Sequence, residues 1–296
     1  MNVLIVSSPK YLNYHLAKPL VTAFQQSLLN LGYKCDVREN YVSGYDVCLV
    51  MSPEIDYNFP KDKTYKVTYN YESLRHRKCR IKINRNLKQF NCILDYNISN
   101  IQFGFPIEHL HCPIGYHPSF EMELPTIQVK KYPISLIGYV CSGDQKRDEY
   151  KGKVYRHRAT IIKKIYQDLG LEVKCVRAYK DLQWSGDTLR DMIFNTDIHL
   201  NLHNTPEVMA FESDRVIRLL LCNQQFVISE KSQECPLTSG EHFVETNDIV
   251  GSIEYYLRHP EERRYIAKKG YEFIKTKYRI EECIKKCFDR IGKIRR

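Results

Sequence analysis

DIHLNLHNTPEVMAFESDRVIRLLLCNQQFVISEK, residues 197–231, decides the fold. Its two ends, DIHLNLH (197–203) and FVIS (226–229), are apolar runs of strand length. Between them a helical run at 213–222 is opened by Glu212, Asp214 and Arg215. Strand, loop, helix and strand in this order form the repeating unit of a parallel α/β sheet. Charges gathered where a strand hands over to its helix lie where such sheets bind ligands.

The same unit recurs on both sides. Upstream, YPISLIGYV (132–140) reads as a strand and RHRATIIKKIYQDLG (156–170) as a helix, with apolar residues at 161, 162, 165 and 169 and a closing Gly170. LEVKCV (171–176) is then a strand and TLRDMIFN (188–195) a helix. Downstream, helices are predicted at 248–258, 261–276 and 279–291. The second begins PEERR, a proline in a first turn followed by acids. The first half opens on the uncharged strand NVLIVSS (2–8), then a helix from 14 to 31 that stops at Gly32. Strands follow at 34–38, 45–52, 65–71 and 91–97. PIGYHPSF (113–120) reads as the loop leaving this half, and 123–133 as a linker.

Composition sets the bounds. A chain of 296 residues, 43% hydrophobic and 27% charged, suits one large or two ordinary globular domains. Eleven scattered cysteines with no C-x-x-C argue for reduced thiols rather than a disulfide framework or a zinc site. No signal-type core and no run of 18 apolar residues is present, so the expected location is the cytoplasm, host cytoplasm if the source is viral. The net charge of +10 favours phosphorylated ligands, nucleic acid or an acidic membrane face. Basic clusters stand at 74–85, 146–158 and 284–296, the last of which reads equally well as a solvated helical face.

Absences narrow the chemistry. The first strand is not followed by G-x-G-x-x-G, and the chain has no P-loop and no G-x-S-x-G elbow. Asp-x-Asp is missing as well, which removes the usual carboxylate pair for a metal–diphosphate complex. An anionic ligand would be held by arginines and backbone N–H groups, with no metal and no cofactor.

GYHP (115–118), IGYV (137–140), LNLHN (200–204), FESDR (211–215), FVISEK (226–231) and HPEERRYIAKKGYEF (259–273) together resemble the GT-B glycosyltransferases. The resemblance is to the family-1 and spore-maturation (CgeB-type) group, with a more distant similarity to phage DNA β-glucosyltransferases. It covers 130–276 and, more loosely, 1–120. It implies an α/β fold of two Rossmann-like domains facing each other across a cleft. Residues 1–125 would be the acceptor domain, and 126–296 the nucleotide-sugar domain with its terminal helices. The implied function is transfer of a sugar from a nucleoside-diphosphate sugar, a UDP-sugar for preference, to a hydroxyl on a glycan, lipid or protein. The alternatives are transfer to a DNA base, with nucleic acid as a less favoured partner, or a nucleotide-sugar-binding protein without catalysis.

Candidate residues follow from this. Glu212 would accept the two ribose hydroxyls, while Arg215 and Arg158 would fork the diphosphate, helped by N–H groups of a helix beginning near Ser213. The competing reading pairs Arg215 with Glu212 or Asp214. Relatives often carry a glutamate about where Arg218 stands. His203 and Asn204 sit just past a strand end. Arg156 and Arg158 open a helix, where cations oppose its dipole unless a phosphate is bound. Gly138 lets the backbone approach a ligand. In the first half, Glu72, just past the strand YKVTYNY, is the candidate catalytic base, with Asp95 its rival and a surface ion pair the bland alternative.

Overall fold

The computed structural model describes residues 1–7, 17–51, 59–70, 77–124, 132–138, 149–176, 186–203 and 211–295. These divide into two units, Met1–Ser119 with Arg279–Arg296, and Phe120–Tyr278. The expected boundary at 125 therefore moves to Phe120. The last helix belongs to the first unit, not to the second.

The first unit is built on β1 (Asn2–Val6), β2 (Lys34–Arg38), β3 (Val47–Val50), β4 (Tyr65–Asn70), β5 (Cys92–Asp95) and β6 (Glu108–His111). All pair in parallel, in the order β2-β1-β3-β4-β5-β6. β1 and β3 are uncharged because both their faces are covered: Val3 to Val6 and Val47 to Val50 are fully buried. Helix α1 (Ala17–Asn30) runs between β1 and β2, and helix α2 (Arg77–Asn86) between β4 and β5.

The second unit repeats the plan with β7 (Tyr132–Ile137), β8 (Val173–Val176), β9 (Thr196–Asn201), β10 (Val227–Ser229) and β11 (Val244–Glu245), again parallel, ordered β11-β10-β9-β7-β8. Helix α3 (Glu149–Leu169) and helix α4 (Gly186–Phe194) precede β8 and β9, and helices α5 (Ile249–Arg258) and α6 (Pro260–Lys277) follow β11. Alternation along the strands builds the core. Ile134, Leu136, Ile198, Leu200 and Ile228 form one face, packed with Ile165 of α3, Ile253 of α5 and Ile266 of α6. On the opposite face Ser135 Oγ lies 2.8 Å from His199 Nδ1, and His199 Nε2 donates to the Ile193 carbonyl at 3.0 Å. Both buried polar groups are thereby satisfied. Gly270 in α6 has a close-packing reason, since a Cβ there would sit 2.3 Å from the His242 carbonyl oxygen. Arg263 pins α6 to the start of β9 through Asp197 at 3.0 Å.

Helix α7 (Ile280–Ile294) closes the first unit. Its buried residues, Ile280, Ile284, Cys287, Phe288 and Ile291, recur at helical spacing and face α1. The Phe288 ring lies 5.7 Å from that of Tyr33, and Asn30 donates to Glu281 at 2.9 Å. The basic tail is thus half of an amphipathic helix, and only its charged side is solvated. All nine described cysteines are free. Burial pushes the thiols of Cys35, Cys48, Cys235 and Cys283 up to about 12, which keeps them protonated and unreactive.

Candidate functional site

In the second unit the strand order reverses between β7 and β9, so the crevice at their carboxyl ends is a topological switch point. Gly138 follows β7, and Leu202 and His203 follow β9. Two arginines converge there. Arg158, on α3, is only 2% exposed and donates from Nε to the Leu202 carbonyl at 3.0 Å. Arg215 donates from Nη1 to Asn201 Oδ1 at 2.6 Å and to the same Leu202 carbonyl at 3.3 Å.

Gly138 shows how tightly the two heads are gathered. A Cβ built on it would lie 2.9 Å from Arg158 Nη1 and 3.6 Å from Arg215 Nη2. Any larger residue would push the Arg158 head away, so the glycine makes room for a guanidinium. The expectation was that it made room for a ligand. Like charges brought together in a partly desolvated place repel. An anion between them would remove the repulsion.

The competing pairing of Arg215 is decided by spacing. Asp214 engages Arg218, one helical turn on, through two hydrogen bonds of 2.6 and 3.1 Å. Arg218, near the Phe120 ring at 6.0 Å, thereby occupies the local carboxylate. Arg215 has no carboxylate partner among the described residues. The carboxylate of Glu212, half-buried, has no hydrogen bond or ion pair among them either.

Two expectations need correction. The segment Asp214–Leu220 is a π-helix of seven residues rather than an α-helix. Its opening N–H groups are already engaged: Ser213 donates to the Phe211 carbonyl, and Arg215 and Val216 both donate to that of Glu212. Three of its opening N–H groups are thus taken within the chain. Helix α3 begins at Glu149, so Arg156 and Arg158 stand in its interior and do not face its dipole from the first turn.

The structure adds a cluster around Glu230, at the carboxyl end of β10. One carboxylate oxygen lies 2.6 Å from His157 Nε2, and the other accepts the His203 N–H at 2.7 Å. His203 Nε2 donates to the Lys231 carbonyl at 2.9 Å, which leaves Nδ1 as a buried acceptor without a partner among the described residues. Asn201, which holds Arg215, is itself fixed by a 2.9 Å bond to Ser229 Oγ. Asn201, Glu230 and His157 were absent from the sequence candidates. The signal for Glu230 was available: an acid directly after a buried strand, at the ligand-binding end of a parallel sheet.

Of the remaining candidates, Asn204 and Glu72 lie outside the described residues, and Arg156 is placed on α3 only by its backbone. Asp95, the rival base, is fully buried. Its Oδ1 accepts from Asn97 N and Asn100 Nδ2, both at 2.9 Å. Its Oδ2 accepts from Asn70 Nδ2 at 2.8 Å and faces His109 Nε2 at 3.2 Å. With four donors on two oxygens, it has no free position for an acceptor proton. Among the described residues no group of three or more His, Cys, Asp and Glu side chains is placed to hold a metal ion.

Residues 151–289 match the family model described as Glycosyl transferase-like. A search of curated protein sequences gives no match. Among solved structures, the chain is similar to HepE of Anabaena in complex with UDP-glucose (TM-score 0.55, 12% identity, 99% of this chain and 100% of that one). It is similar to an alpha-glucosyltransferase in complex with UDP and a 13-mer DNA containing a HMU base (TM-score 0.63, 10% identity, 99% of each chain). It is also similar to TarM (TM-score 0.50, 10% identity, 82% of this chain and 54% of that one). The architecture of two parallel α/β units is the GT-B fold.

Proposed function

With a glycosyl transferase-like segment over residues 151–289 as the premise, we propose that this chain moves a sugar from a nucleoside diphosphate sugar, a UDP-sugar for preference, to a hydroxyl acceptor. The observation that carries the reading is the pair of guanidiniums, Arg158 and Arg215, gathered over Gly138 at the switch point. A diphosphate supplies the two adjacent charges that such a pair accommodates. HepE, similar in fold, is described with UDP-glucose, which supports the donor class. Glu212 is suited to accept ribose hydroxyls, because its carboxylate has no competing partner among the described residues. His203 Nδ1, an acceptor without a donor, is suited to a hydroxyl of the same ligand.

Arg215→Ala tests this directly. Calorimetry with UDP is expected to show affinity at least tenfold weaker, about 1.4 kcal/mol, as for the loss of a charge-assisted contact. Unchanged affinity in a folded variant removes Arg215 from the site. Turnover is expected to survive EDTA, because arginines rather than a metal carry the diphosphate charge. Activity lost in EDTA and restored by magnesium or manganese counts against this.

DNA is the second acceptor reading, favoured by the similarity to a glucosyltransferase described with DNA and by the net charge of +10. A binding protein without catalysis is separated from both by assaying transfer and hydrolysis with UDP-, GDP- and dTDP-sugars. No helix among the described residues is long and apolar enough to cross a membrane, and a cytoplasmic location is our reading.

A further inference from the structure

From the charge pattern of helix α2 (Arg77–Asn86), we infer that its outer face is a docking surface for the phosphodiester backbone of a nucleic acid. The inference rests on the proposed transfer reaction only in placing this surface on the unit taken to receive the acceptor.

Between residues 77 and 88 the chain carries six cations, Arg77, Lys78, Arg80, Lys82, Arg85 and Lys88. From Ser73 to Leu94 there is no acid at all. The first turn of α2 holds no acidic residue, so the cations at that end of the helix are placed against its dipole. Some surface cations elsewhere are matched, while others, such as Lys34, Lys163 and Lys164, have no ion-pair partner among the described residues. Arg258 pairs with Glu254 and Lys285 with Asp289, each at 2.6 Å, Arg290 with Glu108 at 2.9 Å and Arg295 with Asp46 at 3.1 Å. Arg85 and Lys88 are exposed and have no such partner among the described residues. A run of like charge with no acid near it in sequence costs stability in the free protein, and an external polyanion relieves it.

Geometry favours an extended polyanion over a single phosphate. At 1.5 Å per residue the cations spread over about 16 Å, the length of about five phosphates along one strand. An anionic membrane fits less well, because surface-lying helices insert an apolar face. The apolar face of α2 is already used: Ile83, with Leu87 just past the helix end, is buried against Ile93 in the core. Among its described side chains only Ile81 is an exposed apolar residue.

The test uses the full chain and a fluorescent DNA duplex of about 20 base pairs, read by anisotropy between ~50 and ~200 mM salt. The expected log–log salt slope is about −4, reflecting release of counterions from the neutralised phosphates. The variant Arg85→Glu/Lys88→Glu is expected to bind at least tenfold more weakly and to flatten the slope by about 2. Neither residue belongs to the donor site, so UDP binding by calorimetry should stay unchanged. A slope shallower than about −1 in the wild type, or equal DNA affinity in the double variant, overturns the inference. So does preferential binding to phosphatidylserine vesicles that the same variant abolishes. Loss of UDP binding in the wild type would sink the donor reading instead, with the DNA titration still interpretable.

Discussion

Asp95→Ala is expected to lower the stability of the first unit by about 3–5 kcal/mol. The carboxylate is fully buried at the end of β5 and receives Asn97 N, Asn100 Nδ2, Asn70 Nδ2 and His109 Nε2. Removing it strands four polar groups in a protein interior, where each unmet donor costs about 1–3 kcal/mol before water or relaxation recovers part. Asp95→Asn keeps the volume but turns one acceptor into a donor facing donors, so it should fall between the two. Urea denaturation followed by circular dichroism should show the loss as a lower unfolding midpoint. A shift worth less than about 1 kcal/mol would show that the network contributes little.

Glu72→Gln is expected to bind donor like the wild type and to transfer about a hundredfold more slowly, as for loss of a general base. The motive is position in the chain: Glu72 follows by two residues Asn70, the end of β4, whose side chain Asp95 holds at 2.8 Å. Asp95 is itself saturated by donors, which leaves Glu72 the stronger candidate of the two. NMR of the product provides an independent reading, because a base of this kind belongs to inversion at the anomeric carbon. Retention, or a near-normal rate in the variant, ends this role for Glu72.

Much of the architecture was legible because buried parallel strands are largely apolar. NVLIV and VCLV carry no charge, CILD carries one only at its end, and KCDVR was bounded correctly at 34–38. Helix α2 was missed because RKCRIKINRN has too few apolar residues to show a 3.6-residue period. The strand EHLH (108–111) was missed because it is a half-buried edge with charge along it. The early start of α3 was hidden by EYKGKVYR, again charged and without period. For α7 the apolar stripe foretold burial, but a stripe does not say which surface it meets.

At the site, Gly138 was named from its place at a strand end, and Arg158 and Arg215 from helix starts and the glycosyltransferase resemblance; the structure brings all three side by side. The partner of Arg215 was harder. Sequence proximity suggested Glu212 or Asp214, whereas Asp214 and Arg218, four apart, satisfy each other and leave Arg215 to Asn201 and Leu202. Asn201 lies fourteen residues away in the chain, and only the sheet makes the two neighbours.

The first unit is written in two pieces, residues 1–119 and 279–296, with the whole second unit between them. On a ribosome this sets an order of completion. The first unit is completed after the second, because the helix that covers α1 with Ile280, Ile284, Phe288 and Ile291 follows the whole second unit in the chain. At about 5–20 residues per second, the first unit waits roughly 10–30 s with its apolar flank open. The second, continuous from Phe120 to Tyr278, has no such delay. Nascent chains of this protein should therefore be exposed to chaperone capture and aggregation through α1 until α7 closes over it.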